Sequence, residues 1–98
     1  MTLPVIFHEL AENELNEAAA YYAQARPGLG DAFITEVQRA VDALVATPLA
    51  GQTIEGDVRW WLVGRFPYSV FYRIRVDHIR ILAIGHQKRR PFYWHGRR

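Results

Sequence analysis

The chain contains no cysteine, which excludes both a disulfide framework and a cysteine-based metal site. Its four histidines, His8, His78, His86 and His95, show none of the spacings that hold a metal ion, so no metal and no cofactor is expected. Long apolar runs are missing as well. Leu3 to Phe7 is the only apolar stretch before acidic residues begin, too short for a signal peptide or a membrane span. The expected location is therefore the cytoplasm, with no membrane partner. There is no internal repeat or low-complexity segment, and 98 residues are enough for one domain only, residues 1–98.

Half of the residues are hydrophobic and 13% are aromatic, a globular rather than disordered composition. The formal charge of +2 conceals a division. Residues 1–50 hold seven acidic residues against Arg26 and Arg39, a net of about −5. Residues 51–98 hold ten basic residues against Glu55, Asp57 and Asp77, a net of about +7. The basic half can steer RNA or an acidic protein alike. Acidic residues are absent from residues 88–98, where Lys88, Arg89, Arg90, Arg97 and Arg98 flank Phe92, Tyr93 and Trp94. A basic, ring-rich tail of this kind suits phosphate or an acidic partner better than a core.

Periodicity predicts a strand over Leu3–Phe7 and a helix over about Glu9–Ala25, with Ala11, Leu15, Ala18, Ala19 and Tyr22 on one stripe. Glu9, Glu12 and Glu14 fall where the helix dipole favours acids, and the outer face reads as solvated. Arg26-Pro27-Gly28-Leu29-Gly30 breaks that helix. A second helix follows to Thr47, with Phe33, Val37, Ala40, Val41 and Leu44 as its stripe, and packs back antiparallel. Pro48–Asp57 reads as a loop, Val58–Val63 as a strand with Trp60 and Trp61 on opposite faces, and Tyr68–Ile84 as a hairpin turning at Asp77-His78. The fold class is α+β, in the order β-α-α-β-β-β. A small antiparallel sheet carries the helical hairpin on one face and ends in the basic aromatic tail.

An ordered set of motifs spans nearly the whole chain. It comprises Glu14-Leu15-Asn16-Glu17-Ala18 with Tyr21-Tyr22, Pro27-Gly28-Leu29-Gly30 with Phe33, and Pro48 with Gly51. Arg65-Phe66-Pro67-Tyr68 with Tyr72, then His86 through Pro91 with Tyr93 and Trp94, complete it. On these residues the sequence resembles the RelE/ParE superfamily of toxins from type II toxin–antitoxin systems, in the ParE-like branch often labelled plasmid stabilisation proteins. The resemblance implies growth inhibition and neutralisation by a cognate antitoxin, usually an extended or helical segment laid over hydrophobic and basic toxin surfaces. A homodimer is left open.

Within the superfamily, RelE-type members cleave mRNA on the ribosome and ParE-type members inhibit DNA gyrase. The cleavage site of the former uses lysines and arginines on successive strands and a tyrosine near the C-terminus. The corresponding positions here hold Trp60, Leu62, Ser69 and Gln87, and only Tyr93 matches. Cleavage by 2′-hydroxyl attack needs a base, a proton donor and cations facing the developing phosphorane, and these four side chains supply no cation. Binding of a protein target such as gyrase is therefore the leading expectation. Ribosome-linked cleavage, with His86, Arg89 and Tyr93 as candidate catalytic groups, is the alternative, and a non-toxic RNA-binding module a further one.

The residues singled out for target or antitoxin binding are Arg65, Arg73, Arg75, Lys88, Arg89, Arg90, Tyr93 and Trp94. Each has a structural reading beside the functional one. Arg65 can pair with Glu55 or Asp57 across the loop. Arg73 and Arg75 share a face with Ser69 and Phe71, expected to be solvated in the free protein. Tyr93 and Trp94 can pin the tail to the sheet, and His86 can hold it through a backbone carbonyl.

Overall fold

In the computed structural model, which describes residues 2–98, the elements follow as β1 (Val5–Phe7), α1 (Glu9–Ala25), α2 (Leu29–Ala46), β2 (Gln52–Glu55), β3 (Val58–Leu62), β4 (Tyr68–Ile74) and β5 (Ile79–His86). The strands form one sheet in the order β1-β5-β4-β3-β2. β2 to β5 pair antiparallel, and β1 joins the edge of β5 in parallel. The expected α+β architecture is observed with two differences. The sheet is mixed, and the segment read as a loop before Val58 contains strand β2. Among the described residues, no helix is long and apolar enough to cross a membrane.

The helical hairpin is set by its turn. Leu29 N–H donates to the Arg26 carbonyl at 3.1 Å, and Gly28 sits at φ 83°. Proline followed by a left-handed glycine at the centre of a turn is the type II signature. The apolar stripes of the two helices then cover one face of the sheet. Ala11, Ala18, Phe33, Val37 and Leu44 pack against Val70, Tyr72, Ile79, Ile81 and Ile84. Trp61 joins this layer from β3. The Tyr72 hydroxyl donates to the Pro48 carbonyl at 2.7 Å, and Arg59 donates to the carbonyls of Leu49 and Gly51. These bonds pin the chain after α2 and deliver it to the sheet edge as β2.

The β4–β5 hairpin closes one residue earlier than expected. Arg75 N–H donates to the His78 carbonyl, which leaves Val76 and Asp77 at the tip and Val76 fully in solvent. A bulge opposes Phe71 to Ala83 and Tyr72 to Ile81, with Leu82 as the extra residue. Such an insertion changes which face the following side chains take. Leu82 and Ala83 both join Val58 and Trp94 in a second apolar cluster, separate from the helix-side core. The sheet therefore has a packed layer on both faces, and the second is supplied by the C-terminal tail.

Candidate functional site

After β5 the chain turns back across the helix-free face. Gln87 N–H donates to the Pro67 carbonyl, and four further turns are closed by Arg89 to His86, Tyr93 to Arg90, His95 to Phe92 and Arg97 to Trp94. Trp94, at 2% exposure, is seated on Phe71 with ring centroids 5.5 Å apart. The face expected to be solvated is thus covered, and Trp94 is a core residue. Burying an indole stabilises by a few kcal/mol, about 1.5–3 for a large apolar side chain, so the tail is held by packing before any polar contact is counted.

A clasp fixes its end. Arg97 makes a two-pronged contact with Glu14 of α1, at 2.9 and 3.1 Å, and donates to the Leu82 carbonyl at 3.0 Å. Glu14 also accepts from Ile84 N–H at 3.0 Å. β1 pairs with β5 only as far as Ile81. Beyond that point the β5 edge would present unpaired backbone groups, which are costly when buried. Glu14 and Arg97 satisfy them. Glu14 is therefore not on a solvated acidic face. The signal was present in the spacing, since Glu14 stands three residues after Ala11 and four before Ala18, both buried. Further contacts tie Arg73 to the Arg97 carbonyl, Arg80 to the Arg98 carbonyl, and His95 to Glu55.

The tail does not lie flat. A groove of about 520 Å³ opens between it and the outer face of β3 and β4. Trp60, Leu62, Ser69 and Phe71 line one side, and Gln87 and Arg89 through Trp94 the other. No acidic residue lines it. Arg89 lies over the Tyr93 ring at 4.0 Å from its centroid, and Arg97 lies at 5.1 Å. The Tyr93 hydroxyl is buried without a hydrogen-bond partner. Burial, reinforced by the negative charge of Glu14, pushes its pKa well above the ordinary tyrosine value, so it stays a neutral phenol.

The structure brings some predicted site residues together and separates others. Arg89, Arg90, Tyr93, Trp94 and His86 all line the groove, and Lys88 adjoins it. His86 Nδ1 accepts from Lys88 N–H at 3.0 Å, a backbone amide and not the carbonyl expected. Arg73 and Arg75 lie 2.9 and 3.9 Å from Asp57, which offsets their charge. Arg65 lies elsewhere, in the loop after β3, at φ 68° and 4.0 Å from Glu36 of α2 instead of Glu55 or Asp57. Ile54 and Leu62 line the groove without a predicted binding role. Trp60 and Leu62, read as replacements for cleavage cations, line the same groove as Ser69, Gln87 and Tyr93. What the site offers chemically is apolar walls with the cations Arg89 and Arg90 among its lining residues.

The family described as "ParE toxin of type II toxin-antitoxin system, parDE" matches residues 5–91. The fold is similar to a chain of the chromosomal ParDE toxin–antitoxin system from P. aeruginosa, with a TM-score of 0.76 and 19% identity, covering 87% of this chain and 96% of that one. No curated protein matches the sequence. The match from β1 to Pro91 shows the family: the chain belongs to the ParE toxins of type II toxin–antitoxin systems.

Proposed function

We propose that this toxin arrests growth by binding a protein target, with DNA gyrase the expected one, and that an antitoxin encoded beside it neutralises it. It would act in the cytoplasm and serve to maintain the replicon carrying the pair. The observation that supports this reading is the character of the groove. The positions that resemblance assigns to cleavage cations are gathered there, yet they hold Trp60, Leu62, Ser69 and Gln87. Losing one preorganised charge-stabilising donor typically slows a reaction by about 100- to 1,000-fold, and several are missing.

A second reading, ribosome-linked RNA cleavage, draws on Arg89 and His86 lining the groove beside Tyr93. One experiment separates the two: induce the chain alone, then follow mRNA integrity by primer extension and plasmid supercoiling in parallel. Intact mRNA with blocked gyrase supercoiling is expected. Cuts at fixed codon positions would replace the binding reading with the enzymatic one. Uninterrupted growth, with no complex formed with the neighbouring gene product, would reject the toxin function.

A further inference from the structure

A second, smaller cleft of about 210 Å³ opens where α1 passes the start of β4 and the end of β5. Its two walls carry opposite charge. On the helix side stand Glu14, Glu17 and Tyr21, spaced i, i+3 and i+7 so that they share one face. On the sheet side stand Tyr68, His86 and, from the turn after β5, Arg89. Glu14 is occupied by Arg97 and by Ile84 N–H. Glu17 and Arg89 are exposed, and among the described residues neither has an ion-pair partner, although both line this cleft. Opposite charges attract, so a pair left open across one space leaves room there for a ligand. The sheet-side donors are held in place. Tyr68 and His86 are register partners on the β4–β5 hairpin, with ring centroids 5.1 Å apart. His86 Nδ1 accepts from Lys88 N–H, so the neutral ring carries its proton at Nε2 as a remaining donor. Arg89 lies over the Tyr93 ring at 4.0 Å from its centroid, a contact that positions the guanidinium and leaves N–H donors free. Burial raises the Tyr68 pKa, and the charge of Arg89 opposes it, which puts the guanidinium within reach of the same space.

We propose that this cleft binds a free α-amino acid. A zwitterion answers both walls at once, its carboxylate taking Arg89 and His86 Nε2–H and its ammonium taking Glu17. An apolar or aromatic side chain on the same α-carbon would lie on the rings of Tyr21 and Tyr68, of which Tyr21 is 68% exposed. The size agrees. Pockets for drug-sized molecules begin at about 300 Å³, and this one is smaller. A simple anion or a simple cation leaves one wall unanswered, and a nucleotide would bring its phosphates against Glu14 and Glu17. His86 and Arg89 also line the larger groove, so an amino acid held in the cleft shares its donors with that surface. Nothing in this chemistry rests on the toxin reading.

The test is a heteronuclear NMR titration of the full chain with L-phenylalanine and L-leucine. Phenylpropionate and phenethylamine, each keeping one of the two charges of phenylalanine, are titrated beside them. Saturable amide shifts are expected with the amino acids, centred on Glu17 to Tyr21, Tyr68 and His86 to Arg89. Both analogues should bind at least about tenfold more weakly than phenylalanine. Glu17→Gln and Arg89→Gln each remove one charge from an exposed side chain, so both should melt close to wild type. Each should weaken amino-acid binding by about tenfold or more. No saturable shift with either amino acid would overturn the site, as would wild-type affinity in either variant. Phenylpropionate binding as tightly as phenylalanine would reduce the cleft to an anion site, and phenethylamine doing so would reduce it to a cation site. Either result overturns the zwitterion. Growth arrest is read separately, so failure of the cleft and failure of the toxin reading stay distinct.

Discussion

Tyr93 carries the sharpest contrast between a chemical and a mechanical role. The guanidinium groups of Arg89 and Arg97 both lie over its ring, while its hydroxyl is buried without a well-formed hydrogen bond, the Glu14 carboxylate lying near enough to act on it. A buried polar group without a partner costs about 1–3 kcal/mol. Tyr93→Phe should therefore leave stability unchanged or raise it by about 1 kcal/mol in urea unfolding, and growth arrest should persist. An enzyme that relies on this phenol would lose arrest instead. Gly85 shows the same packing from below, since a Cβ there would stand 2.7 Å from the Tyr93 hydroxyl and 3.2 Å from the Phe71 ring. Gly85→Ala should cost about 1–3 kcal/mol by overpacking. Near-ultraviolet circular dichroism should show the displaced aromatic tail, and an unaltered spectrum with unaltered stability would contradict the close fit.

At the scale of elements, α1 has its N-cap in His8, whose Nδ1 accepts from Leu10 N–H at 3.0 Å. Only an unprotonated Nδ1 can accept. Partial burial, then the charges of Arg80 and Arg97, hold the His8 pKa below 6.5 against the opposing pull of Glu9 and Glu14. The unfolded chain thus binds the proton more readily than the folded one. The stabilisation is complete above about pH 6.5 and is lost as pH falls through the lowered folded value. An N-cap contributes about 1 kcal/mol. His8→Asn keeps a capping side chain without the titration, so its melting temperature should decline less than wild type between roughly pH 7 and pH 5. Parallel decline in both proteins would remove His8 from the account.

The tail is the other element whose fate can be isolated. Arg97→Ala leaves Glu14 with Ile84 N–H as its recorded hydrogen-bond donor and the Leu82 carbonyl without the guanidinium. Breaking one side of a largely buried pair costs about 3–5 kcal/mol at full burial, and somewhat less is expected here, where both side chains keep slight exposure. Amide exchange should accelerate over residues 92–98 and the end of β5 while the centre of β4 stays protected. Uniform acceleration across the sheet would show that the clasp supports the whole fold. The helices and the β4–β5 hairpin were legible in the sequence because their apolar spacing repeats against one core. β2 was not, because Gln52–Glu55 is exposed throughout and carries no alternation. The folded-back tail was also hidden, because its clasp joins residues 83 positions apart. The basic run and its rings stand out in the sequence, but their gathering with Trp60 and Leu62 depends on a turn after His86 that no local pattern announces.

For the whole molecule, the division of charge becomes a division of surfaces. The acidic half forms the helical layer and strand β1, and the basic half forms the rest of the sheet and the tail, joined where Glu14 meets Arg97 and Glu36 meets Arg65. Pairing offsets part of the positive charge internally, and among the described basic residues without a carboxylate partner Lys88, Arg89 and Arg90 form the one consecutive run, beside the groove. Replacing all three with alanine should leave the fold nearly intact. Exposed charges contribute under roughly 1 kcal/mol each, and the stacking of Arg89 on Tyr93 adds about 0.5–1 kcal/mol. Association with an acidic partner should slow and lose most of its salt dependence, because steering follows local field strength. Growth arrest should disappear with it. Thermal melts and growth curves on the same variant keep these effects apart. A collapsed melt would make the run structural, and arrest at wild-type strength from a folded variant would show that the toxin engages its target elsewhere.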